Sequence, residues 1–209
     1  MSERIRALFD LVPPSGIAAE IGADHGILSA RLLLENRCAR MIISDISAAS
    51  LSKARRLIAR YGLQERAEFR LADGLTALDR PVNAIIIAGM GAEAIRRMLS
   101  NGQDMIEDAS LILQPNLDHT QLRRHLMESG FRIDSERLVM DDGRFYVAIR
   151  AVRGAASYSP VELLLGPALL HGCPPLFYEY VCWRRDCLAL SRRAKEQAEL
   201  ALIKQLIGG

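Results

Sequence analysis

Over the first 150 residues, short apolar runs of strand length alternate with stretches in which apolar residues recur every three or four positions. Strands and amphipathic helices laid down in turn produce that pattern, which predicts an α/β fold: a doubly wound, Rossmann-like sheet, mostly parallel, with helices on both faces. A helix from about Arg4 to Leu11 stops before Pro13-Pro14, and a first strand near Ile17 to Ile21 leads into a helix from about Gly26 to Glu35. Met41-Ile42-Ile43 forms a second strand ending at Ser44-Asp45. Ser47 is placed to cap a helix that carries Leu51, Ala54, Leu57, Ile58 and Tyr61 on one face and is closed by Gly62. A third strand spans about Ala67 to Leu71 and delivers Asp73-Gly74 to a loop. Ala84-Ile85-Ile86-Ile87 reads as a buried parallel strand, with the loop Gly89-Met90-Gly91 and a helix to about Leu99 after it. Leu111-Ile112-Leu113 is a fifth strand with Gln114-Pro115-Asn116 at its end, and a helix from Asp118 to Ser129 follows. Phe131 to Met140 and Phe145 to Arg150, joined at the hairpin dipeptide Asp142-Gly143, close the sheet antiparallel.

The texture changes beyond Gly154, which divides the chain into a sheet domain over 1–153 and a helical C-terminal region over 154–209. Ser157 to His171 reads as one short apolar helix, and Pro174-Pro175 opens a helical stretch to about Ile207. There Leu176, Tyr180, Trp183, Cys187, Leu190 and Ala194 recur at helical spacing, the signature of a face docked on the body or on another helix.

At 209 residues, half of them hydrophobic, the chain can bury one substantial core. A net charge of +2 leaves no basic tail, so a polyanion would have to be met by local patches. Of the 27 basic residues 24 are arginine, several in doublets such as Arg96-Arg97, Arg123-Arg124 and Arg184-Arg185. These suit phosphate forks, or are simply solvated helix faces. Cys38, Cys173, Cys182 and Cys187 show no zinc-ligand spacing, which argues against a metal and for reduced thiols. No signal-peptide core or membrane-length apolar run is present, so a cytoplasmic protein with no membrane partner is expected.

The candidate chemistry gathers at the strand ends, where parallel sheets bind ligands. Glu20-Ile21-Gly22-Ala23-Asp24-His25-Gly26 follows the first strand with glycines spaced for close backbone approach, but Asp24 stands where the dinucleotide fingerprint needs its second glycine. The remaining acid-x-Gly-x-x-x-Gly pattern is that of S-adenosylmethionine (SAM) methyltransferases. Asp45 lies 23 residues after Gly22, suited to a ribose cis-diol or to capping the next helix. Asp73 before Gly74 suits an adenine amino group or a plain turn, and Gly89 and Gly91 a cofactor contact or a tight turn. Asp24 is either a helix cap or the carboxylate nearest a transferred methyl group, and His25 either a ligand contact or structural.

Asp24-His25, Ala88-Gly89-Met90-Gly91, Leu113-Gln114-Pro115-Asn116, Leu122-Arg123 and Asp142-Gly143 together resemble the bacterial tRNA (adenine-22-N1)-methyltransferase family of class I SAM-dependent methyltransferases, over about Arg4 to Ala151. The resemblance implies a methyltransferase domain with a helical C-terminal domain, SAM as donor and N1 of a D-arm adenosine in tRNA as acceptor. It implies cofactor contacts at Glu20, Gly22, His25, Gly26, Asp45, Asp73, Gly74, Ala88, Gly89, Met90 and Gly91, and a catalytic-loop aspartate at Asp24. Asn116 is a candidate to bind the base edge. Arg4, Arg96, Arg97, Arg184 and Arg192 are candidates to hold RNA. The chain departs from the family pattern at Glu20 (usually Asp), Ala92 (usually Gly) and Ser29 (commonly Pro). Rival readings are a methyltransferase acting on a small molecule or protein, and a non-catalytic RNA-binding module; a monomer and a weak dimer are both open.

Overall fold

A computed structural model describes residues 2–208. A seven-stranded sheet forms its centre, in the order β3-β2-β1-β4-β5-β7-β6. Strands β1 (Ser15–Ile21), β2 (Cys38–Asp45), β3 (Ala67–Leu71), β4 (Ala84–Met90) and β5 (Ser110–Pro115) pair in parallel. The hairpin β6 (Phe131–Asp141) and β7 (Arg144–Arg153) joins antiparallel through β7, with Leu113 opposite Ile149. Asp142 and Gly143 both have positive φ, as a two-residue hairpin turn requires.

Alternate residues of the central strands face opposite sides, and both sides are apolar. Ala84, Ile86 and Ile112 pack with α1 (Glu3–Leu11), α2 (Ile27–Leu34) and α3 (Ala48–Arg60) through Leu8, Leu28 and Ile58. Ile85, Ile87 and Leu113 pack on the other face with α4 (Ala92–Asn101), α5 (Gln103–Ile106) and α6 (His119–Glu128) through Ile95, Ile106 and Leu122. Each such isoleucine or leucine, taken fully out of water, contributes about 1.5–3 kcal/mol, in keeping with the unbroken apolar run of β4 from Ala84 to Ile87.

The expected elements form, with four corrections. First, β4 runs on through Gly89 to Met90, leaving only Gly91 of that motif beyond the strand, and β5 runs on through Gln114 to Pro115, with Asn116 just past its end. A register shift between Ala88 and Met90 marks a bulge at Gly89. Second, Tyr61 lies beyond the last turn of α3 and is exposed. Third, the stretch from Ser157 to His171 is two helices, α7 (Pro160–Leu165) and α8 (Pro167–Gly172), because Gly166 turns at φ +106° and Pro167 has no N–H to continue α7.

Fourth, the final stretch folds back on itself as α9 (Phe177–Ala189) and α10 (Ala194–Ile207). Arg184 pairs with Glu199 between the two helices, and the Gln197 side chain donates to the Ser191 carbonyl in the connection. The face that turns inward is Tyr180, Val181, Leu188, Leu200 and Ile203, while Cys187, Leu190 and Ala194 are exposed and Trp183 is 44% exposed. These helices cover the same sheet face as α4 and α6 and share its hydrophobic cluster.

Candidate active site

Strand order reverses between β1 and β4, and a cavity of about 570 Å³ opens at their carboxyl ends. A switch point of this kind leaves a crevice because the connecting helices leave in opposite directions. The backbone shapes its floor. Gly22 (φ +72°) turns the chain off β1, and the Ser44 carbonyl at the end of β2 accepts from both Gly22 N–H (2.8 Å) and Ala23 N–H (2.9 Å). A Cβ on Gly22 would run into the Met90 methyl across the cavity. Asp24 also has positive φ (+48°), a conformation that Asp tolerates better than most residues. Its N–H donates to Asp45 Oδ2 at 3.0 Å, which ties the first loop to the second.

Most of the expected cofactor residues line this cavity: Glu20, Gly22, His25, Asp45, Asp73, Gly74, Ala88, Gly89 and Met90, together with Asp24. Gly26 and Gly91 do not. Gly26 opens α2 in the left-handed region, with only 2.9 Å between a Cβ added there and that of Ala54, so it serves helix packing. Gly91 stands at the N-cap of α4, where an added Cβ would meet open space among the described residues.

Glu20 is the buried acid of the cavity. Its Oε2 accepts from the Ser29 N–H (3.1 Å) and from the Ser29 hydroxyl, a pairing that a proline at 29 could not make. Burial lifts its pKa from 4.5 to about 7 against those two hydrogen bonds, with a small upward push from Asp24. A cation against Glu20 would reverse that shift. Asp45 is not the cap of α3, since Ser47 supplies that hydrogen bond. Its Oδ1 accepts from Ser47 N–H at 2.8 Å, and each carboxylate oxygen keeps a lone pair for a diol. Asp73 is exposed at the rim.

The Asp24 side chain is 71% exposed, and His25 Nε2 lies 3.5 Å from it and 2.9 Å from Lys53 Nζ. Asp24 is an exposed carboxylate at the mouth of the cavity, with His25 beside it.

Asn116 stands beside the cavity, outside its lining, and Nδ2 donates to the Gly89 carbonyl at 2.8 Å. The expected RNA contacts separate. Arg4 lies in the cavity wall, donating from Nε to Gln114 Oε1 (2.6 Å) and resting 5.3 Å from the Tyr146 ring centre. Arg184 is turned inward: it pairs with Glu199 and, with Arg123, bears on the buried His119, whose pKa burial and these two cations push down to about 3. Arg96 bonds Glu93 (2.9 Å) and Gln121 (3.4 Å). Arg97, on the cavity rim, and Arg192, in the α9–α10 connection, are exposed.

Three features were not anticipated. Ile27 and Ile46 line the cavity although 47% and 74% exposed; an isoleucine in a loop directly after Asp45 was a readable sign. Gln114 is fully buried behind Asn116. Arg123, one of the doublets read as solvated faces or phosphate forks, is completely buried with Glu136 at 2.8 Å. It also donates to the Leu163 and Leu164 carbonyls of α7, and Glu136 accepts from Ala168 and Leu169 N–H of α8.

A seven-stranded sheet of this order, with acids and glycines around a switch-point crevice, defines a Rossmann-like methyltransferase fold. The profile of the methyltransferase domain family matches residues 1–149. The chain belongs to that family, in the branch of the bacterial tRNA (adenine-22-N1)-methyltransferases. It is 27% identical to the tRNA (adenine(22)-N(1))-methyltransferase of Bacillus subtilis across 99% of this chain and 97% of the relative. It is 30% identical to a candidate tRNA methyltransferase of Mycoplasma pneumoniae over 82% of each. The crystal structure of a candidate tRNA (m1A22) methyltransferase of Streptococcus pneumoniae, in complex with S-adenosyl-L-methionine, superposes with a TM-score of 0.92 at 28% identity, covering 99% of both chains.

Proposed function

We propose that the protein transfers a methyl group from SAM to N1 of an adenosine in tRNA, at position 22 of the D-arm. The observation that carries the proposal is one crevice bounded by Glu20, Asp24, Asp45 and Asp73 from three successive strand ends, in a chain whose full-length relatives are tRNA (adenine-22-N1)-methyltransferases. These residues fit SAM: a buried acid for the amino group, a carboxylate with free lone pairs for the ribose hydroxyls, a rim acid for the adenine amino group, and the exposed Ile46 for an apolar ring face. Gly22 and Gly89 let backbone lie against the ligand.

When bound, SAM supplies an electrophilic methyl group on a sulfonium. Adenine N1 is unprotonated at neutral pH and attacks without a base, so orientation does most of the catalysis. The ring gains positive charge as the N–C bond forms and the S–C bond breaks. The exposed Asp24 carboxylate stabilises that charge. Asn116 meets the base edge, and the target nucleotide is flipped out of its stack to expose N1.

The division at 153/154 is assigned by role: the sheet domain carries the chemistry, and the α9–α10 hairpin with Arg192, together with Arg97 at the rim, meets RNA phosphates. Action on tRNA implies a cytoplasmic site. The test is incubation with labelled SAM and unmodified tRNA, followed by mass spectrometry of the nucleosides. 1-Methyladenosine that disappears when the D-arm adenosine is replaced is the expected result. SAM binding without tRNA methylation would redirect the search to a small-molecule or protein acceptor.

A further inference from the structure

Behind Asn116 two side-chain amides are strung between a group that can only donate and a group that can only accept. Arg4 Nε donates to Gln114 Oε1 at 2.6 Å. Gln114 Nε2 therefore faces the other way, donating to the Pro115 carbonyl (2.8 Å) and, more weakly, to Asn116 Oδ1 (3.4 Å). Asn116 Nδ2 then faces the Gly89 carbonyl at 2.8 Å. A guanidinium has no acceptor and a carbonyl no donor, so only one orientation of each amide satisfies the whole row. Gln114 is fully buried, which makes a flipped and unpaired amide costly. The bulge at Gly89 turns its carbonyl to Asn116, and a Cβ there would lie 2.6 Å from Arg4 Nη2.

We infer that Arg4 and Gln114 are positioning residues that hold the Asn116 amide in one orientation, leaving one Oδ1 lone pair and one Nδ2 hydrogen to read an adenine edge. Arg4 is thereby reassigned from the RNA backbone to the base site. The inference rests on the proposed role of Asn116. Adenine presents a donor at N6 beside an acceptor at N7, so a fixed amide can engage both and leave N1 free for methylation. Guanine presents two acceptors there, and one would face Oδ1.

The decisive variant is Gln114→Glu, which keeps its size and its bond from Arg4 but loses the N–H that faces Asn116. Two readouts apply. In the free protein labelled at asparagine nitrogen, NMR should show one slowly exchanging Asn116 side-chain proton in the wild type, moved to the position of a free amide in Gln114→Glu and in Arg4→Met, and largely restored in Arg4→Lys. In turnover, Gln114→Glu should lower kcat on tRNA about 10-fold to 100-fold with SAM affinity within twofold of wild type. Replacing the target by 7-deazaadenosine should cost the wild type about tenfold and the variant nothing further.

An Asn116 resonance unmoved by Gln114→Glu overturns the positioning role, whatever the enzyme's activity. Wild-type indifference to 7-deazaadenosine overturns the base-edge contact alone. A moved resonance in a protein that makes no 1-methyladenosine would leave the row of amides standing and remove the proposed reaction.

Discussion

At the carboxyl ends of β1, β2 and β4 the protein is shaped by backbone, whereas beneath α7 and α8 it is held by charge. The cavity floor is made of Gly22, Asp24 and Gly89 at positive φ, with carbonyls and N–H groups stitched across loops. The C-terminal helices sit on Arg123 and Glu136, both fully buried, which satisfy carbonyls at the end of α7 and N–H groups at the start of α8. Even the glycine between them is fitted to the pair, since a Cβ on Gly166 would strike Glu136. Ligand contact calls for open backbone that leaves room for another molecule. Joining two parts of one chain permits full enclosure, and the desolvation is offset because both ions are hydrogen-bonded several times.

The largest effect is expected at the seat. Glu136→Ala leaves Arg123 buried without its counter-ion and should cost about 3–5 kcal/mol, seen as a melting temperature lower by roughly 10 °C. A drop of only a degree or two would show that the helices are held by apolar packing alone. Next, Asp24→Ala should lower turnover about 10²-fold to 10³-fold. Its melting temperature should fall by only a few degrees, because the side chain is exposed and the cost is that of placing alanine at positive φ.

The pH dependence separates the regions again. Glu20 has its pKa raised in the folded state, so its contribution is full below about pH 4.5 and is lost as the pH rises to about 7. That loss is on the order of 3 kcal/mol. In the absence of cofactor, Glu20→Gln should therefore gain on the wild type as the pH rises from 5 to 8 in thermal melts. His119, near the seat, has the opposite sign: its pKa is depressed to about 3, so its contribution is lost as the pH falls below about 6.5. Gly22→Ala imposes a left-handed conformation costing about 1–2 kcal/mol, and SAM affinity by calorimetry should fall roughly tenfold. The smallest effect is proton linkage. SAM binding at pH 7 should release about half a proton as its ammonium ionises Glu20, measured by calorimetry in buffers of different ionisation enthalpy.

The same contrast governs what could be read from residues alone. Glycines and acids at strand ends are local signals, so most of the cavity was legible in the chain, while Gly26 and Gly91, at helix starts, lie outside its lining. Gly166-Pro167 was a legible break in the tail. The turn between α9 and α10 was not, since Leu190 to Arg193 contains neither glycine nor proline. The Arg123–Glu136 pair was hidden by a parity change: Phe131 and Ile133 face inward, and a register shift between Ile133 and Ser135 turns Glu136 and Leu138 to that same side. Simple alternation would have left Glu136 in solvent. The Arg4 bond was not legible either, because nothing local reveals that Gln114, 110 positions away, accepts from it.

The β6–β7 hairpin has a mechanical consequence. Phe145 and Tyr146 are neighbours on β7 and so point to opposite sides. Phe145 meets Tyr180 and Trp183 of α9 (centroids 5.6 and 5.4 Å away), and Tyr146 meets Arg4 of α1, while Asp141 accepts from the Arg4 backbone N–H at 3.3 Å. The tip is a crossbar pinned at both ends. The outermost helices and the wall of the methyl-transfer crevice therefore rest on one and the same hairpin tip.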